Sequence, residues 1–201
     1  MANLNAPKGL VPSRYLDGSA WNGAVNLYYI PQADGSAYYG GDVVKSAANA
    51  DANGVPAIAK ALGTDTLRGV LAGVAVANPG APSLIGTNLD LSIQFIPAVK
   101  LRDYYVWVVD DPAVIFEVQD NGLSTIPATS ANKNASLTIA TPAGAGQNSA
   151  TVLLNSSVAG TAALNMKLMG RVQRADNEPG PNAKWLVKIN QHELQGGTAG
   201  I

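Results

Sequence analysis

The chain has 201 residues, of which only 13% are charged, and its 13 basic and 14 acidic side chains give a formal net charge of −1. It has no cysteine and a single histidine, His192, which excludes disulfides, thiolate metal sites and metal sites built on two histidines. No basic stripe and no apolar stretch near the roughly 20 residues of a membrane span is present, so we expect binding to neither nucleic acid nor a membrane. The N-terminus lacks the pattern of a secretory signal, and we expect synthesis in a cytoplasm.

The first 24 residues carry the pattern of an extended segment. Pro7, Gly9, Pro12 and Gly18 interrupt any helix, and the apolar residues occur singly without a period. The sequence predicts an extended N-terminal arm over residues 1–24 and a single β-rich domain over residues 25–201. Tyr15 and Trp21 are side chains of the kind that anchor interfaces, so the arm either contacts a neighbouring subunit or is a frayed terminus.

Short β-branched and aromatic runs follow between turn signals. The predicted strands are, in chain order, residues 25–30, 68–77, 89–95, 104–109, 114–118, 137–139, 151–154, 164–172 and 185–191. Residues 104–109 are apolar on both faces and predict a central strand. Residues 56–62 begin with proline and stop before Gly63, which predicts one or two helical turns. With about eight or nine strands and at most one short helix, we expect an all-β fold, an antiparallel β-sandwich, jelly roll or barrel.

Two places could carry acid–base chemistry. Asp110 and Asp111 are adjacent carboxylates, but neighbours on a strand point to opposite faces, and Asp before proline is typical of a turn. His192 is followed by Glu193, but Gly196 stands where a zinc motif needs its second histidine. We therefore expect a turn at the aspartates, a partly exposed His192 at a strand end, no metal, no cofactor and no enzymatic activity.

Two further stretches bear on interactions. Arg171 and Arg174 lie close in sequence to Asp176 and Glu178, which predicts either an ion-pair patch between subunits or a solvated loop. Between residues 122 and 165 the only charged side chain is that of Lys133. Such a region suits either a surface that packs against something or a flexible insertion.

Three sets of segments carry a resemblance to a known kind of protein. They are residues 5–10 with 21–23, residues 108–112 with 116–119, and residues 170–172 with 176–178 and 182–185. As a set they resemble small virion proteins of tailed double-stranded-DNA phages that are encoded beside the major capsid protein and act as head decoration, or cement. The resemblance spans both ends and the middle of the chain and contains no catalytic signature.

The resemblance implies a β-rich protein on the outer surface of the virion that bridges neighbouring subunits of the major capsid protein. It further implies a homo-dimer or homo-trimer on a symmetry axis of the capsid. The residues that we expect to contact the capsid or another subunit are Pro7, Leu10, Pro12, Arg14, Tyr15 and Trp21 of the arm, together with Arg171, Arg174 and Glu178. The alternatives are a tail or head–tail connector component and a carbohydrate-binding or adhesin-like β module.

Overall fold

The computed structural model of the chain describes residues 3–75, 89–143 and 148–196. Its strands, in chain order, are β1 (Val11–Tyr15), β2 (Asn26–Ile30), β3 (Tyr38–Tyr39), β4 (Val43–Ala50), β5 (Pro56–Lys60), β6 (Gly69–Val74), β7 (Phe95–Ile96), β8 (Tyr104–Val109), β9 (Val114–Gln119), β10 (Asn134–Ala135), β11 (Leu137–Thr138), β12 (Val152–Leu153), β13 (Met166–Arg171) and β14 (Lys184–Ile189). Two single 3₁₀ turns, Ala128–Ser130 and Asn155–Ser157, complete the regular structure of the described ranges. The predicted all-β fold is confirmed.

Five strands close into a barrel in the order β2-β5-β4-β6-β8. Its pairs are antiparallel except β2 with β5, which run parallel where Tyr29 meets Ala57. The barrel interior is filled by apolar side chains that include Ile30, Ile58 and Val106. β8 lies between β2 and β6 and is buried along most of its length, so the predicted central strand is confirmed.

The second half of the fold is a five-stranded antiparallel sheet in the order β1-β9-β14-β13-β10. Phe116, Trp185 and Leu168 point from this sheet into a second core. Val43 and Val70, which are paired neighbours in the barrel wall, belong to the same core. The barrel and the sheet therefore share one apolar interface.

The low-charge region contributes to this second core. Ala135, Leu137 and Leu153 are buried in it, and β11 pairs with β12 in a small separate sheet. The interpretation as a flexible insertion is wrong for the described parts of residues 122–165, because these apolar side chains are packed.

Two local predictions are wrong. Residues 56–60 form β5 instead of helical turns, because pairing with β4 buries Ala57 and Ile58, and Pro56 takes the first strand position, where no N–H is needed. The predicted strand over residues 89–95 is reduced to β7 and one bridge at Leu89, because Asp90 turns the chain by accepting hydrogen bonds from the N–H and hydroxyl of Ser92. The predicted strand over 68–77 is β6, and its residues 76 and 77 lie outside the described residues.

The N-terminal segment, which the sequence predicts as a separate arm, is packed against the rest of the chain. β1 pairs with β9 at one edge of the sheet, and Leu10 is 1% exposed in the second core. Just before it, Gly9 crosses Gly41 so closely that a Cβ atom on Gly9 would lie 2.4 Å from the Gly41 carbonyl oxygen. The segment is extended, as predicted, but residues 9–15 belong to the fold of their own chain, so an independent arm over residues 1–24 is not what the structure shows.

Candidate binding surface

The N-terminal segment lies against the face of the five-stranded sheet that points away from the core. The Asn3 side-chain amide donates to the carbonyl oxygens of Glu178 and Pro181, each at 3.0 Å, and the Glu178 N–H donates to the Asn3 oxygen at 2.9 Å. Further along, the Ala6 N–H donates to the side-chain oxygen of Gln119 at 3.0 Å. These bonds place residues 3–6 between β9 and the loop that precedes β14.

A groove runs between this segment and the sheet. One cleft of about 370 Å³ is lined by Leu4, Lys8 and Arg174 among others, and an adjoining cleft of about 270 Å³ shares Leu4 and Lys184 with it. Leu4 is 77% exposed at the junction of the two clefts. The groove thus combines an aliphatic side chain with a charged rim, in which three basic residues face two acidic ones, Glu117 and Asp176.

Arg174 is held on this rim by three hydrogen bonds to carboxylates. Its guanidinium donates twice to the Glu117 carboxylate, at 2.9 Å each, and once to Asp176 at 3.2 Å. The hydrogen bond to Glu117 is the main cause that raises the pKa of Arg174, and the bond from Arg174 is the main cause that lowers the pKa of Asp176. Exposed ion pairs add little stability, so these contacts position the side chains more than they stabilise the fold.

The residues predicted to contact other subunits have different environments. Arg14, Arg174 and Glu178 are exposed, whereas Pro7, Pro12, Tyr15, Trp21 and Arg171 are half-buried. Trp21 packs against the second core, and Arg171 donates to the Asn177 carbonyl oxygen. The prediction that Leu10 contacts another subunit is wrong, because its side chain fills the chain's own core and offers no surface to a neighbour.

A buried polar network lies where the barrel meets the sheet. The Asp110 carboxylate accepts hydrogen bonds from the Tyr28 hydroxyl at 2.5 Å and from the Asn26 amide at 2.7 Å, with the Arg68 guanidinium 3.4 Å away. Burial, followed by the bond to Asp110, raises the pKa of Tyr28 to about 12. The phenol of Tyr28 and the carboxylate of Asp110 are therefore joined by a buried hydrogen bond at this junction.

Asp111 takes no part in this network. Its carboxylate accepts a hydrogen bond from the Ala113 N–H at 2.8 Å, so the predicted turn is confirmed there. For Asp110 the turn interpretation missed the network, because Tyr28 and Arg68 are far away in sequence and carry no motif. Only the pairing of β2 and β6 with β8 brings them together.

His192 lies in the same region, and the prediction of a partly exposed side chain is wrong. It is 3% exposed, its Nδ1 accepts a hydrogen bond from the Leu194 N–H at 3.0 Å, and its Nε2 is buried without a hydrogen-bond partner. Burial, and then the charge of Arg68, lowers its pKa. A neutral imidazole is therefore part of the packed junction.

The described residues contain no group of three His, Asp or Glu side chains that could hold a metal ion. No helix within the described ranges has the length and apolarity that crossing a membrane requires. Comparisons with models of protein families, with curated proteins and with solved structures returned no match.

Proposed function

We propose that this protein decorates the head of a tailed double-stranded-DNA phage and is not an enzyme. In this proposal it binds the outer surface of the assembled shell, as a dimer or trimer about a symmetry axis, and bridges neighbouring subunits of the major capsid protein. The support is the resemblance of the segments described above together with one feature of the barrel surface.

That feature is the loop from Val99 to Leu101, in which the charged side chain is buried and the two aliphatic side chains are exposed. We call it the inverted loop. Lys100 points inward and is 5% exposed, while Val99 and Leu101 point outward and are 82% and 90% exposed. The Lys100 ammonium donates to the Ser36 carbonyl oxygen at 2.7 Å and to the Asp34 carboxylate at 3.2 Å, and it lies over the Tyr38 ring. A loop that served only solubility would place the lysine in water and the aliphatic side chains inside.

The inverted loop suits a protein that adheres to a large surface. The buried lysine anchors the loop backbone between two exposed aliphatic side chains, so little backbone entropy is lost when a partner covers them. Small contacts of this kind give strong overall attachment when they are repeated many times over a shell.

Of the two alternatives, the carbohydrate-binding module receives less support. All three tryptophans, seven tyrosines and two phenylalanines are buried or half-buried, whereas a glycan-binding face presents exposed aromatic rings. The second alternative, a tail or connector component, is decided by the experiment below.

The test uses heads of the encoding phage prepared without this protein. We expect the purified chain to bind heads and not tails, and Val99→Ser/Leu101→Ser to weaken binding by at least about tenfold, since each buried aliphatic side chain contributes roughly 1.5–3 kcal/mol. The matched control is Leu62→Ser, which removes another exposed leucine (63% exposed) from the surface.

Binding is measured by sedimentation of the heads and quantification of the bound chain. Binding to tails alone would favour the connector or tail alternative, and no binding to any virion part would refute the proposal. Equal binding of the double variant would show that the inverted loop has no role in attachment.

A further inference from the structure

The outer face of the five-stranded sheet carries a row of positive charges. Along β14, Trp185, Val187 and Ile189 face the core, so Lys184, Leu186 and Lys188 face outward. The register pairs Lys188 with Lys167 of β13 on one side and with Ile115 of β9 on the other.

Arg14 of β1 extends this row, because its partner across the sheet edge is also Ile115. The order across the sheet is therefore Arg14, Ile115, Lys188, Lys167, and no residue of the row is acidic. We call these four residues the cationic row. With strands about 4.8 Å apart, the row spans about 14 Å.

The cationic row has a cost for the fold. Like charges placed directly opposite each other in an antiparallel pair are destabilising, and Lys167 and Lys188 occupy such positions. Burial and the charge of Lys167 together lower the pKa of Lys188. The Lys188 ammonium also donates to the Gln195 side-chain oxygen at 2.8 Å, which holds it beside Lys167 despite this repulsion.

The part of the sheet face next to the row also carries more basic than acidic side chains once the row itself is included. Lys184 and Arg174 lie on the adjacent part of the face, where Glu117 and Asp176 are the acidic neighbours and both are already engaged by Arg174. This face is thus cationic in a chain whose net charge is −1.

We propose that the cationic row is a docking site for an acidic protein surface, whose carboxylates bind between and beside Lys167 and Lys188. Charge complementarity selects the partner, and the half-buried aliphatic side chain of Leu186 beside the charges suits a protein surface. The row would also attract phosphates, so duplex DNA is the competing ligand in the test. The identification of the acidic partner as a shell subunit rests on the proposed function.

The first measurement tests the row without any phage component. We expect the chain to bind immobilised poly-L-glutamate at about 0.05 M salt and to release it at about 0.5 M salt, because screening weakens the attraction. Lys167→Gln/Lys188→Gln is expected to weaken this binding about tenfold. The control, Arg102→Gln/Lys133→Gln, removes the same charge from outside the row and is expected to bind like the wild type.

The second measurement is the urea midpoint of unfolding of the same variants. Relief of the repulsion predicts a higher midpoint for Lys167→Gln/Lys188→Gln at low salt, and a smaller difference at high salt. This outcome also excludes misfolding as the reason for lost binding. If the two lysines take no part in docking, the double variant binds poly-L-glutamate like the wild type, whatever its urea midpoint.

Three results would overturn the inference: no binding of the wild type to poly-L-glutamate, equal binding of the double variant, or tighter binding of duplex DNA than of poly-L-glutamate. The head-binding assay separates the two proposals. If the row binds poly-L-glutamate but the chain does not bind heads, the proposed function fails alone. If heads bind the wild type and the double variant equally, the inference fails alone.

Discussion

His192 shows how a single buried side chain couples this fold to pH. Its ring is enclosed at the junction of barrel and sheet, near Arg68 and Lys188, which oppose a positive charge, and near Asp110 and Glu193, which favour one. Burial is the largest effect, so the folded protein holds the imidazole neutral. In the unfolded chain the same group titrates near its ordinary pKa of about 6.5.

The lowered pKa predicts a loss of stability in mild acid. Below pH about 6.5 the unfolded chain binds a proton that the folded chain resists, so the free energy of unfolding falls as the pH drops from above that value toward the lowered pKa. Urea unfolding at about pH 7.5 and about pH 5.5 measures this difference, and we expect a smaller decrease for His192→Gln than for the wild type. An equal decrease in both proteins would show that other groups cause it.

At the scale of elements, β1 shows that the N-terminal residues pack on their own chain. Single apolar residues between prolines and glycines predict an extended segment. The pattern does not tell whether that segment lies in solution, on a neighbouring subunit or on its own chain. The structure selects the last, because Leu10 fills the second core and β1 pairs with β9. A truncation of residues 1–20 would therefore damage the fold, and point variants are the informative test of this segment.

The crossing of Gly9 and Gly41 gives such a test. Gly9 has a φ of +67°, and a Cβ atom would meet the Gly41 carbonyl oxygen, so we expect Gly9→Ala to lower the free energy of unfolding by about 2–4 kcal/mol. Gly18→Ala is the matched control, since Gly18 has a φ of +89° but nothing within 4 Å of the added Cβ. Its expected cost is about 1–2 kcal/mol, from the backbone alone. Equal costs for the two variants would mean that the crossing is looser than the structure shows.

At the scale of the whole molecule, the barrel and the sheet are joined by a shared hydrophobic core. Val43, Val70 and Val109 belong to strands of the barrel, yet all three pack in the core that the sheet encloses. The barrel fills its own interior, but these three side chains are buried only where the sheet covers the barrel wall.

The shared core predicts a single unfolding transition. Tryptophan fluorescence and far-ultraviolet circular dichroism are expected to give coincident urea curves. Val43→Ala is expected to shift both curves together, by about 2 kcal/mol, while Val99→Ala at the exposed loop changes stability by less than about 0.5 kcal/mol. Two separated transitions, or a shift in only one probe, would contradict the shared core.

Local patterns predicted much of the secondary structure. The two-faced apolar run 104–109 became β8, and the runs around residues 114–118 and 185–191 became β9 and β14. The prediction is wrong at two places: where strand pairing with a distant segment overrides a local helix signal, and where a local turn breaks an alternating pattern. Pro56 resembles a helix start, but pairing with β4 makes it a strand residue, and the alternating residues 89–95 are broken by the turn at Asp90.

The sequence predicts the residues of the candidate binding surfaces less well than it predicts the strands. The sequence predicts contacts at Arg14 and Arg174, but it does not single out Lys167, Lys188 or the inverted loop at Lys100. Nothing near these lysines in the sequence distinguishes them from solvated charges. Their positions follow from the pairing of strands and loops that are distant along the chain.

The sequence by itself determined that the chain is a β protein, because hydrophobic alternation and turn residues act over a few neighbours and can be read locally. It also determined the shortage of titratable groups for chemistry, which is a matter of composition. Only the tertiary structure decided that Leu10 is core, that His192 is buried and that Arg14, Lys188 and Lys167 form one row. These outcomes depend on strand register, and register is set by the packing of the whole chain, since a shift of one residue exchanges the faces of a strand.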